Sequence, residues 1–243
     1  MKQLSQAKNF KRMGTGFRSG LESFDLTLRV RDKEIPVHKL ILVRASQYFK
    51  VLFSGCFADS GKKVLEMNQF EPEIVEMIVE FLYSRTLNLS TDTVMDVYEV
   101  ADFLQVTKVL LFCIQFMIES VDAINCISFW KFADFHSLPP LRAHLQTYIC
   151  TSLEDVMKTT EFLELEFEDL KSLMTDVELS RLEWLQSYRS TFSALMGWMN
   201  HNASRNVHLE SLVNLARDQE KLSRPKPDEE NVRNAMGRLQ CSR

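Results

Sequence analysis

The chain has 243 residues, 45% of them apolar, with only 7 glycines and 6 prolines, which is material for one large hydrophobic core or two modest ones. Lys and Arg total 29 against 33 for Asp and Glu, and the resulting net charge of -4 argues against nucleic acid or an anionic membrane as a default partner. No stretch reaches the roughly 18 consecutive apolar residues that a membrane helix requires. The most apolar run, Val109 to Ile118, is interrupted by Gln115 and followed by Glu119.

The first residues carry Lys2, Lys8, Lys11, Arg12 and Arg18, with no acid before Glu22 and no apolar run of the signal-peptide kind, so residues 1–19 read as a flexible basic arm. Five cysteines, Cys56, Cys113, Cys126, Cys150 and Cys241, are an odd number at wide spacing, which suits a reducing compartment, cytoplasmic or nuclear. Each is expected to be a buried, inert thiol, with Cys56 at a helix end the one candidate for exposure.

Phe24 to Val30 alternates apolar and polar residues and predicts a half-buried strand. A turn at Arg31 to Glu34 and a short second strand, Ile35 to Val37, follow. From His38 the apolar spacing becomes helical, with Leu40, Ile41, Leu42, Val43, Tyr48, Phe49, Leu52 and Phe53, and Ser46 can cap a second helix inside the run. A third strand is predicted at Lys63 to Met67. Pro72 then suits the first turn of a helix whose core stripe is Ile74, Met77, Ile78, Phe81 and Leu82.

Thr86 to Leu89 reads as a fourth short strand. Ser90 or Thr91 is placed to cap a helix that buries Val94, Val97, Tyr98, Ala101 and Leu104, and another helix is predicted from about Lys108 to Ser120. Beyond Asp122 helical patterns dominate to about Arg217, with breaks at Ser137 to Pro140, Thr151 to Ser152 and Met174 to Asp176. Residues 218–243 are polar, contain Pro225 and Pro227, and read as a disordered tail. No repeat with the roughly 40- to 50-residue period of propeller blades is visible.

Taken together, FDLTLRV, VHKLILVRASQYFKVLF and EPEIVEMIVEFLYSRTLNLSTDTVMDVYEVADFLQV resemble a BTB domain, closed by Cys113 in its last helix. DAINCI, FWKFADFHSLPPLRAHLQTYI and EFLELEFEDLKSLMTDVELS resemble a BACK domain, the helical module of kelch-like adaptors. The resemblance spans about residues 20–215. It implies an α+β chain, with a BTB/POZ domain of a small sheet flanked by helices over 20–121 and an all-α BACK domain of helix pairs over 122–217. Two departures stand out. Asp176 and Trp198 are more widely separated than is usual, with Trp184 between them, and the chain ends where a kelch propeller would begin.

The resemblance also implies a function. It points to a non-enzymatic, dimeric adaptor that presents a client, whose identity the sequence does not give, to a cullin-3 ubiquitin ligase. Leu40, Ile41 and Val43 are the candidate dimer residues, since their helix is too apolar to leave a wet face; the alternative is that they fill the domain's own core. The family's hydrophobic-x-Glu tripeptide for cullin binding corresponds to Phe57-Ala58-Asp59. Phe57 would enter an apolar groove, and Asp59, one methylene shorter than Glu, would weaken the polar contact by about 1 kcal/mol.

Tyr98 is a further cullin-binding candidate, with a core position as its alternative, and Phe129, Trp130 and Phe132 are weighed likewise against packing on Leu141 and Leu145. His38 matches a family position that looks structural. Other readings are a scaffold that pairs with full-length relatives and dampens them, or a recruiter of corepressors, although no zinc-finger spacing or basic recognition helix is present. No catalytic residue, metal site or cofactor is expected, because no Cys-x-x-Cys, phosphate-binding glycine loop or nucleophile signature occurs.

Overall fold

Leu26, Leu28 and Val30 are buried while Thr27 and Arg29 between them are half-buried, so the alternation of the first apolar segment becomes the central strand of a sheet. A computed structural model describes residues 24–55, 61–175 and 188–223. The predicted basic arm, and all of the predicted tail after Ser223, lie outside the described residues. The chain divides into two compact units, Met1–Ser120 and Val121–Arg243.

In the first unit, β1 (Leu26–Val30) lies between β2 (Lys33–Val37) and β3 (Val64–Glu66). β1 pairs antiparallel with β2, Leu28 opposite Ile35, and parallel with β3, Leu28 opposite Leu65. The hairpin loop is shorter than the sequence suggested: only Arg31 and Asp32 turn the chain, with Arg31 at φ 52°. Lys33 and Glu34 join β2 because a two-residue turn matches the twist of the strands, and Glu34 then faces Arg29 in register and pairs with it at 3.0 Å.

The parallel return to β3 passes through α1 (Lys39–Ala45) and α2 (Gln47–Leu52). As the sequence predicted, Ser46 separates the two helices: its hydroxyl accepts from Phe49 N–H at 3.1 Å and donates to the Leu104 carbonyl. α3 (Pro72–Ser84) starts with proline at its first turn and buries Ile74, Val75, Ile78, Val79, Phe81 and Leu82, adding Val75 and Val79 to the predicted stripe and leaving Met77 of that stripe half-buried. α4 (Val94–Phe103) and α5 (Thr107–Glu119) pack against each other. The cap of α4 falls at Thr93, later than predicted, with Ser90 bonded to the Thr93 hydroxyl instead of the helix amides.

The predicted strand at Thr86 to Leu89 does not form; the described sheet has three strands. Arg85 ends α3 in the left-handed conformation at φ 61°, and Thr86 spends its N–H on the Ser84 hydroxyl at 3.1 Å. Such local side-chain bonds compete with ladder formation where no strand edge is at hand.

The second unit is helical: α6 (Cys126–Phe135), α7 (Pro139–Thr151), α8 (Leu153–Val156), α9 (Thr160–Leu163), α10 (Phe167–Thr175), α11 (Tyr188–His201), a 3-10 turn (Ala203–His208) and α12 (Leu209–Ser223). The break between α6 and α7 is the predicted one, with Ser137 left-handed at φ 54° and Pro139 opening α7. α12 continues past Arg217 to Ser223, into the stretch read as tail. Gln146 is buried and ties α6 to α10, accepting from Trp130 Nε1 at 2.6 Å and donating to the Leu173 carbonyl at 3.0 Å. Trp198 donates Nε1 to the Leu165 carbonyl at 2.7 Å, and Arg205 stacks on its ring at 4.1 Å.

Replacing Ser46 by Ala removes the α2 cap and leaves the Leu104 carbonyl buried without a donor. Urea denaturation of S46A is expected to show a loss of about 2 kcal/mol; a loss within error of zero would contradict the role given to this hydroxyl.

Candidate functional site

α1 buries Leu42 against the rest of its unit and turns Leu40 outward, 64% exposed, with Ile41 and Val43 half-buried on its flanks. Of the three residues proposed for a dimer contact, Leu40 is therefore on the surface and the other two are shared between surface and interior. A lone exposed leucine is ordinary; here it continues into two further apolar side chains on one short helix.

A second apolar surface forms where α2 meets α4. Tyr48 of α2 and Phe70, just before α3, both lie against Phe103 of α4, with ring centroids 5.1 and 5.0 Å away. Phe103 is 44% exposed, and Val51, one turn beyond Tyr48, is exposed as well. α2 ends at Leu52, so the segment that leaves this patch leads directly to residues 56–60. Phe57 and Asp59 themselves lie outside the described residues, as do Cys56, Asp176 and Trp184.

Tyr98 falls on the inward face of α4, only 5% exposed, and burial first and the Asp102 carboxylate second raise its phenol above the ordinary value. Its place is the core alternative weighed for it. Phe129, Trp130 and Phe132 are likewise buried in the α6–α7 pair. The patch around Phe103 escaped the sequence reading because Phe103 falls off the core stripe of α4. That misfit, an aromatic beside the apolar stripe Val97, Ala101 and Leu104, is the signal that could have found it.

His38 stands between β2 and α1, where its Nδ1 meets the Tyr83 hydroxyl at 2.9 Å and its backbone N–H donates to the same oxygen at 2.8 Å. It ties the sheet to α3, a structural part. Cys113, Cys126 and Cys150 are free and buried. Burial pushes the Cys113 thiol up to about 12, and the Cys126 thiol also to about 12 with the Glu161 carboxylate adding to the effect. Among the described residues no group of three or more His, Cys, Asp or Glu side chains is arranged to hold a metal ion, and no helix is long and apolar enough to cross a membrane.

A small sheet flanked by helices is followed by a helical unit, and comparison with known proteins places both in a family. The BTB/POZ domain family matches residues 15–121, and BACK, the BTB And C-terminal Kelch domain, matches residues 126–219. The chain belongs to the BTB-BACK proteins of the kelch-like family. Human Kelch-like protein 28 is 32% identical over 197 residues, which is 81% of this chain and 34% of that protein. Kelch-like protein 24 of Rattus norvegicus is 28% identical over 195 residues, 80% of this chain and 32% of that protein. The chain thus spans about a third of the length of the curated relatives it matches. Among solved structures, the BTB domain of zebrafish PATZ1 is similar at 28% identity and a TM-score of 0.36, covering 40% of this chain and 77% of that one.

The thiol environments lead to a reactivity test. A thiol held near 12 has almost no nucleophilic thiolate at pH 8, against an ordinary value near 8.5. Iodoacetamide at pH 8, read by peptide mass mapping, is expected to leave Cys113 and Cys126 unmodified in the native protein and to label both in urea. Labelling of either in the native protein at the rate of a free thiol would contradict the burial described.

Proposed function

We propose that the chain is a dimeric, non-enzymatic adaptor that engages a cullin-3 scaffold through its BTB unit and leaves other surfaces for a client protein. It works by contact, in the cytoplasm or nucleus, where reduced buried thiols such as Cys113, Cys126 and Cys150 persist. The observation that carries the reading is the aromatic patch of Tyr48, Phe70 and Phe103, which lies beside the end of α2 from which Phe57-Ala58-Asp59 continues. An aromatic anchor next to exposed apolar surface is the composition of an interface hot spot.

On this reading Phe57 inserts into the cullin, Phe103 forms the floor beside it, and Asp59 supplies the polar contact at the rim. Tyr98, buried on the inward face of α4, supports that helix from the core. Self-association uses the separate face of α1 with Leu40 at its centre and Ile41 and Val43 beside it.

Calorimetric titration with the N-terminal region of cullin-3 tests the assignment. The parent is expected to bind, Phe57→Ala and Phe103→Ala each to weaken binding about thirtyfold or more, and Asp59→Ala to have a smaller effect, in line with hot-spot truncations of about 2 kcal/mol. Circular dichroism establishes that the variants are folded. A folded parent that does not bind, or a Phe57→Ala protein that binds like the parent, would overturn the reading.

A further inference from the structure

The C-terminal ends of α1 and α3 and the first turn of α5 enclose a cavity of about 220 Å3, lined by Arg44, Phe81, Arg85, Val106 and Lys108 among others, with no carboxylate in its wall. Arg44, Arg85 and Lys108 form no ion pair and no side-chain hydrogen bond among the described residues. Arg44 lies in the last turn of α1, and Arg85 is the left-handed cap of α3. A cation at a helix C-terminus is favoured by the helix dipole, so each arginine alone has an ordinary explanation.

Lys108 has none. It is the second residue of α5, a 13-residue helix, where the positive end of the dipole opposes a cation. The first turn of α5 carries no acidic residue, and its cap, Val106, has no side-chain acceptor to offer. Among the described residues the Thr107 and Lys108 amides, which precede the first bonds back to Val106, have no acceptor, as is usual in a first helical turn. Three exposed cationic side chains, none of them paired with a carboxylate among the described residues, thus converge on one recess.

The surface next to the recess is apolar. Leu111 and Phe112 stand three and four residues after Lys108, hence on the same side of α5, and are 62% and 52% exposed. The Phe112 ring meets the edge of Phe81, which lines the cavity, at 5.7 Å.

We propose that this recess docks a phosphorylated serine or threonine of a partner peptide, with a neighbouring apolar side chain of that peptide lying on Leu111 and Phe112. A phosphate ester brings a charge of about -1.5 to -2 and three strong acceptor oxygens, which complement three cationic side chains and two free amides. The cavity is smaller than the roughly 300 to 1,000 Å3 of sites for drug-sized molecules and so admits a single headgroup. Its recessed form suits one protruding side chain better than a flat lipid surface. The site uses none of the residues assigned above to cullin binding or to self-association, and it stands or falls apart from those assignments.

The test is fluorescence anisotropy with a labelled peptide bearing one phosphoserine and a leucine two residues later. The unphosphorylated peptide, inorganic phosphate as competitor, and phosphatidylcholine vesicles containing phosphatidylserine are measured in parallel. The phosphopeptide is expected to bind at least about tenfold more tightly than its unphosphorylated form, and Lys108→Glu and Arg85→Asn each to lose about tenfold or more. Asn is chosen because it tolerates the left-handed backbone at position 85. Leu111→Ala is expected to weaken the peptide without affecting inorganic phosphate. Lys108→Glu should melt no lower than the parent, because a carboxylate suits a helix N-terminus.

Equal binding of the two peptides, or variants that bind like the parent, would overturn the proposal. Inorganic phosphate that binds as tightly as the phosphopeptide would replace it with a free-anion site. Vesicle capture without peptide binding would replace it with a lipid site. A Lys108→Glu protein that melts well below the parent would contradict the unfavourable helix-terminus position given to Lys108.

Discussion

The buried hydroxyl of Ser46 joins the parts of the BTB unit on which everything else depends. It accepts from Phe49 N–H, which starts α2, and donates to the Leu104 carbonyl at the corner between α4 and α5. One oxygen therefore fixes where the α1–α2 elbow sits against the α4–α5 corner. The consequences lie on both sides of the elbow. On one side α2 brings Tyr48 onto Phe103, and on the other the end of α1 carries Arg44 to the recess beside Val106 and Lys108. The corner itself is tight, with Gln105 left-handed at φ 53° and the Val106 N–H returned to the Ala101 carbonyl at 2.8 Å.

The same economy of buried polar groups holds the BACK unit. Gln146 satisfies the Trp130 indole and the Leu173 carbonyl at once, and the Trp198 indole satisfies the Leu165 carbonyl. Both indole donors have an acceptor, so these two aromatic side chains fix particular helix positions in addition to filling volume. Arg205 completes the second cluster, donating to the Leu163 and Trp198 carbonyls while its guanidinium covers the Trp198 ring.

Much of this was legible in the sequence where a local signal coincided with the tertiary outcome. The alternation of Leu26, Leu28 and Val30, the Ser46 cap, Pro72 at a helix start and the break at Ser137 each rest on physics confined to a few neighbouring residues. Thr86 to Leu89 was misread because a strand needs a partner edge, and a four-residue apolar alternation carries no information about one. Lys33 and Glu34 were assigned to the turn because the register that pairs Glu34 with Arg29 is a property of two strands. Leu40, Ile41 and Val43 share a short helix, and only the packing distinguishes the outward Leu40 from the buried Leu42. The recess of Arg44, Arg85 and Lys108 was invisible for the same reason, since its cations come from three helices and meet only in the fold.

On the function proposed above, a self-paired BTB unit offers one cullin surface per copy. Multi-angle light scattering of the chain mixed with the N-terminal region of cullin-3 measures it directly. The account predicts a particle containing two copies of each, which falls to one copy of each when Leu40 is replaced by Asp. A parent particle with one copy of each, or no complex at all from a folded chain, would contradict it.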